Sequence, residues 1–245
     1  MPVKSIDCVD GCDGCKSRWP ELAFEYITRR GLSLESDYPN SDLNIQGECI
    51  VKSTNVKTFI AGYQSIQYME DGAAENRLKH AVTFQPVVVV LLVGKEFSGY
   101  KAGDGIFQIE VDPAQDLSMA FHAVLVIGFG ERDGNKYWLI RNSHGVQWGY
   151  GLIERDCGNL RGRCCFARFP VYPIWEAGVS ASLPEAARIL RDVDLSPGQP
   201  LQTNHESDDS LKLLVQNSDF LYLFEYMIFS ITGSELRFSL RISFQ

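Results

Sequence analysis

Apolar and polar positions alternate with two different periods along the chain, and the change of period marks its elements. In "SRWPELAFEYITRRG" the apolar residues Leu22, Ala23, Tyr26 and Ile27 recur at helical spacing, and Gly31 stands where a helix would stop. The spacing predicts an amphipathic helix followed by a turn-rich loop, "SDYPNSDLNIQGEC". "ENRLKHAV" predicts a short second helix, and Pro86 closes it before "VVVVLLV", a β-branched run that reads as a buried strand. "KEFSGYKAGDGIF" reads as a short helix and a glycine-punctuated loop. "HAVLVIGFG" is too apolar for an exposed edge and is expected to be a central strand. The Asp133-Gly134 pair then signals a hairpin turn into "KYWLIRNS". His122 thereby opens one strand and Asn142 closes its antiparallel partner, so the two are expected side by side.

Beyond residue 174 the pattern changes. Residues 184–192 suggest a short helix, and a polar stretch over about 193–210 reads as a linker. Residues 211–245 turn apolar again. "DFLYLFEYMIFSI" is too short for a bilayer span and carries Glu225, so it is read as a strand pair or an interaction segment; "ELRFSLRISF" alternates in period two like an edge strand. Two units are expected: a domain over 1–174 and an extension over 175–245.

Composition changes this picture mainly by exclusion. A formal net charge of -8, with no clustered basic residues, argues against a nucleic-acid partner. The opening "MPVKSIDCVD" has no apolar core of a secretory signal. Seven cysteines, at 8, 12, 15, 49, 157, 164 and 165, fit either disulfides or a metal site. For zinc, Cys8, Cys12, Cys15 and Cys49 lack a second CxxC knuckle, and no metal or other cofactor is expected. The odd count leaves at least one thiol outside any bridge within a monomer.

The candidate chemistry lies at the hairpin. An imidazole acting as base needs a group to fix its ring, and an Asn side-chain carbonyl can accept the ring N–H. Against this, a lone strand histidine is often structural, and an Asn near a turn often serves the backbone.

"HAVLVIGFG…YWLIRNSHGVQWGYG" resembles the His and Asn region of the papain family of cysteine peptidases. "SIDCVDGCDGC", "AFEYITRRGLSLESDYP", "LKHAVTFQPVVVV", "GIF" and "RCCFARFPVYPI" are similar to further family segments in the same order, so the resemblance covers residues 5–174. It implies an α+β fold of two lobes, with the β-rich barrel lobe and part of the helical lobe retained. It also implies His122 as general base, Asn142 as its orienter and Phe121 as a residue facing the substrate, with a protein or peptide as substrate or ligand. Cys8 would bond Cys49, and Cys157 could substitute for the missing partner of Cys164. Family members act in lysosomes, vacuoles or outside cells.

The resemblance also identifies departures. The family's nucleophile lies in a Cys-Gly-Ser-Cys-Trp segment preceded by an oxyanion Gln, and this segment does not occur in the 245 residues. Cys15, in "CDGCKSRW", is an alternative nucleophile, but it precedes His122 by only 107 positions and stands in a different family segment. Where the family has Asn-Ser-Trp-Gly, this chain has Asn142-Ser143-His144-Gly145, which implies a wetter His–Asn hydrogen bond. Two functions are therefore expected to compete: a papain-like peptidase, inactive as this chain, and a non-catalytic relative that binds a peptide, an inhibitor or a peptidase.

Overall fold

The computed structural model describes residues 8, 19–33, 49, 57–101, 103–109, 119–142, 150–175, 193–194 and 202–203. Their centre is a seven-stranded sheet. In chain order the elements are helix α1 (Pro20–Arg30), strands β1 (Leu32–Ser33), β2 (Lys57–Thr58) and β3 (Gly62–Ser65), then helix α2 (Ala74–Val82) and strand β4 (Val87–Val93). Helix α3 (Lys95–Gly99) and strands β5 (Ile106–Phe107), β6 (Ala120–Arg132), β7 (Asn135–Arg141), β8 (Tyr150–Glu154) and β9 (Val171–Ile174) complete the body. The sheet order is β3-β9-β4-β6-β7-β8-β5, antiparallel except where β5 joins β8, while β1 and β2 form a separate pair.

Each helix starts and stops for local reasons. Pro20 occupies the first turn of α1, where a missing N–H costs nothing, and Arg29 and Arg30 face the negative end of the helix dipole. Gly31, at φ 72°, ends the helix by donating its N–H to the Ile27 carbonyl. The buried stripe of α1 is Pro20, Ala23, Phe24 and Ile27. This corrects the expected stripe: Leu22 is exposed, and Phe24 instead enters the cluster with Val88, Val90 and Val171. Ahead of α2, Asp71 accepts the Ala73 N–H and two bonds from the Arg77 guanidinium.

The sheet is buried on both faces, which explains the unbroken apolar run of β4. Val87, Val89 and Leu91 face one cluster, built with Leu78 and Val82 of α2, Phe97 of α3, Trp138, Cys164 and Phe166. Val88 and Val90 face the other, built with Ala23, Phe24 and Ile27 of α1, Ile60 and Val171. Strand β6 is central, paired with β4 on one side and β7 on the other. Its hairpin to β7 closes through Asp133 at φ 51° and Gly134 at φ 77°, two left-handed residues whose twist matches the strands they join.

Cys8 and Cys49 form a disulfide. The bridge expected between Cys157 and Cys164 is not formed: Cys164 points into the core and donates its thiol to the Ile109 carbonyl, while Cys157 sits half-buried in the loop after β8. Closeness in sequence did not bring those two side chains together. Within the stretch read as a linker, Val193–Asp194 (β10) pairs antiparallel with Gln202–Thr203 (β11). The expected helix at 184–192, the apolar stretch 211–245, Cys12, Cys15 and His144 lie outside the described residues.

Candidate functional site

The hairpin brings His122 and Asn142 together. The His122 ring Nε2 lies 2.7 Å from Asn142 Oδ1, and both residues are buried, at 5% and 6% exposure. They are side by side without being directly opposite. The register pairs Leu125 with Arg141, so one step further Asn142 is level with Val124, and His122 is its diagonal neighbour. Diagonal neighbours share a face and are within reach of long side chains.

That shared face depends on an irregularity. Between Val126, paired with Ile140, and Gly128, paired with Leu139, the extra residue Ile127 bulges out of the ladder. Regular pairing carried back from the turn would set Ile127 against Ile140, and the odd residues Phe121, Ala123 and Leu125 would then face Asn142. The bulge restores the even residues to that side. Strand β4 fixes the same choice from its edge, because Leu91, which belongs to the α2 face, pairs with His122.

The chemistry of the pair follows from the acceptor. The Asn142 carbonyl oxygen can only accept, so Nε2 carries the proton and Nδ1 is the basic nitrogen of the neutral ring. The Phe97 ring, 5.8 Å from the imidazole, and Leu91 surround it with apolar surface. A site this dry strengthens the hydrogen bond that orients the ring. Asn142 is held in turn by β7, whose Trp138 donates its indole N–H to Glu75 Oε1 at 3.0 Å. Glu75 Oε2 accepts the Asp156 N–H, also at 3.0 Å, and burial pushes the Glu75 carboxyl up from its ordinary range. No local pattern signals this tie, since Glu75 and Trp138 are 63 positions apart.

Phe121 turns to the opposite face of β6 at the same end of the strand. It is 46% exposed and forms a ledge with Trp19 and Phe169: the Trp19 ring is 5.8 Å from Phe121 and 4.9 Å from Phe169, and Phe121 and Phe169 are 6.3 Å apart. Trp19 and Phe169 were missed by sequence reasoning; two aromatics flanking a helix start and a Pro in unrelated segments carry no local signal. Among the described residues no group of three or more His, Cys, Asp or Glu side chains could hold a metal ion. No helix among them is long and apolar enough to cross a membrane.

Comparison with known proteins adds to this geometry. A family model described as "Papain family cysteine protease" matches residues 3–174. The chain is similar to cysteine proteinase COT44 of Brassica napus, with 33% identity over 69% of this chain and 50% of that protein. It is 36% identical to Pro-cathepsin H of Medicago truncatula, over 69% of this chain and 47% of the relative. The chain thus spans about half the length of the curated relatives it matches. Among solved structures it is similar to the Carica candamarcensis cysteine protease CMS1MS2 in complex with E-64, with a TM-score of 0.58 and 29% identity, covering 71% of this chain and 76% of that one. Recombinant stem bromelain precursor gives a TM-score of 0.60 and 30% identity, over 71% of this chain and 55% of that one. The α+β fold is therefore papain-like.

Proposed function

Because the chain belongs to the papain family of cysteine proteases, we propose that His122 and Asn142 are the base and orienting half of a peptidase site, that peptides bind beside them, and that this chain alone does not cleave them. The 2.7 Å contact between His122 Nε2 and Asn142 Oδ1 carries the reading. With Nε2–H donated to Asn142, Nδ1 is poised to take the proton of a thiol brought within hydrogen-bond reach. The thiolate would attack a peptide carbonyl, and the imidazolium would return the proton to the departing amine. Asn142 does not titrate, so it holds the ring through both steps.

The nucleophile is the part these residues do not supply. The family's Cys-Gly-Ser-Cys-Trp segment and its oxyanion Gln do not occur in the sequence. Loss of a nucleophile in a hydrolase whose groups act as a unit lowers turnover about a millionfold. A second reading, a non-catalytic relative that binds a peptide, an inhibitor or a peptidase, draws on the exposed Trp19–Phe121 ledge.

Titrating the full chain with an internally quenched peptide, following tryptophan emission and cleavage together, tests the proposal. Saturable binding without cleavage above buffer is expected. Cleavage abolished by iodoacetamide would place a working nucleophile within the chain and reject the non-hydrolytic half. Absence of binding would reject the rest.

A further inference from the structure

We infer that Arg168 is a specificity-determining residue: it selects peptides that carry a carboxylate side chain next to an apolar one lying on the Trp19–Phe121–Phe169 ledge. The inference rests on the reading that peptides bind beside His122, and it adds the chemistry of what they carry.

Three observations lead to it. The Arg168 guanidinium lies over the Phe169 ring, 4.9 Å from its centroid, and Phe169 is the ring that joins Trp19 to Phe121. The cation is therefore fixed at the border of the ledge, and Phe121 is one Cα step, about 3.8 Å, from His122 along the strand. Second, Arg168 has no carboxylate partner among the described residues, whereas Arg77, Arg155 and Arg163 pair with Asp71, Asp156 and Glu154. Arg30, Arg132 and Arg161 share that lack among the described residues, and of the four it is Arg168 that lies over a ring of the ledge. Third, Trp19 and Phe121 are 43% and 46% exposed, so the apolar surface beside the cation is open to a ligand.

Together these present one apolar shelf and one fork of guanidinium donors. Stacking on Phe169 holds the guanidinium plane and lowers the entropy lost when it forms two parallel hydrogen bonds. Two such bonds match a carboxylate and do not match an amide, which offers a single acceptor oxygen. The occupant is therefore an acidic side chain, Glu or Asp, adjoining a large apolar one.

The test uses the full chain and capped pentapeptides of one apolar parent sequence, with Glu or Gln placed at each position in turn. Binding is measured by calorimetry. At one position the Glu peptide is expected to bind about fivefold to tenfold more tightly than its Gln counterpart, the size of one charge-assisted contact at a half-exposed site. Arg168→Gln should bring that ratio to about one while the parent peptide binds as before, and Arg168→Lys should keep part of the preference. A parent peptide that binds with no preference for Glu at any position, or a preference that persists in Arg168→Gln, overturns the role of Arg168 and leaves the peptide site standing. A parent peptide that does not bind overturns both.

Discussion

His122 and Asn142 meet on a diagonal of the β6–β7 hairpin, with 2.7 Å between ring nitrogen and amide oxygen. The bond buries a donor that has lost its water, so its removal has a defined cost. Asn142→Ala is expected to destabilise the chain by about 1–3 kcal/mol. Nitrogen-15 NMR should show His122 leaving the Nε2-protonated tautomer. A ring that keeps that tautomer in the variant would show that Asn142 does not orient it.

Glu75 gives a second expectation, because it joins α2 to β7 and to the end of β8 through the Trp138 indole and the Asp156 N–H. Glu75→Ala removes the acceptor of two donors and should cost about 2–4 kcal/mol, whereas Glu75→Gln keeps one acceptor oxygen and should cost less.

The same residue predicts a pH dependence. Burial raises its carboxyl above the ordinary value of 4.5, so the folded chain takes up this proton before the unfolded chain does. Stability from this site therefore rises as pH falls from above the raised value toward 4.5 and is level below it. Urea unfolding of wild type and Glu75→Gln at pH 7 and pH 5 should show the difference moving in favour of wild type at the lower pH. A difference that stays constant between the two would contradict the direction.

Gly130 and Tyr137 are cross-strand partners, and the tyrosine ring covers the glycine. A Cβ on Gly130 would overlap the Tyr137 hydroxyl oxygen and stand 2.6 Å from the ring carbon that bears it, so Gly130→Ala must displace the ring. A loss of about 1–3 kcal/mol is expected. In Gly130→Ala/Tyr137→Ser most of that loss should vanish as a coupling energy in a double-mutant cycle. Additive losses would show that the ring is not what the alanine meets.

Cys165 holds φ 62°, a left-handed conformation that costs a residue with a Cβ roughly 1–2 kcal/mol. Cys165→Gly should therefore raise the melting temperature, after the extra freedom glycine brings to the unfolded chain has offset part of the gain. A lowered melting temperature would mean that the Cys165 side chain supplies contacts worth more than the strain.

Much of this arrangement was legible in the chain. The run of valines in β4 reads as a buried strand, and it is buried on both faces; the Asp133-Gly134 pair reads as a hairpin signal, and both residues have positive φ in the turn. Local chemistry decides such features. The stripe of α1 differs from expectation because Leu22 and Phe24 both lie within helical reach of Ala23 and Ile27, and the distant sheet residues Val88, Val90 and Val171 decide which is buried. The Cys157–Cys164 pairing failed for a similar reason, as the core claims Cys164. The diagonal offset of His122 and Asn142 was hidden by one residue, although Gly128 inside an apolar strand is the kind of sign that accompanies a bulge.

The bulge at Ile127 also determines where this hairpin can be shortened. Loss of Ile127 would leave Val126 against Ile140 and Gly128 against Leu139, joined in a regular ladder, with His122 on the side it already occupies. Loss of Ala123 has no such outlet, since either His122 or the Val124–Val126 run must then turn over to the other face. Deletions in β6 are thus unequal in their effects: next to the bulge the strand can lose a residue while the imidazole and its core neighbours keep their faces, and the cost grows with distance from it.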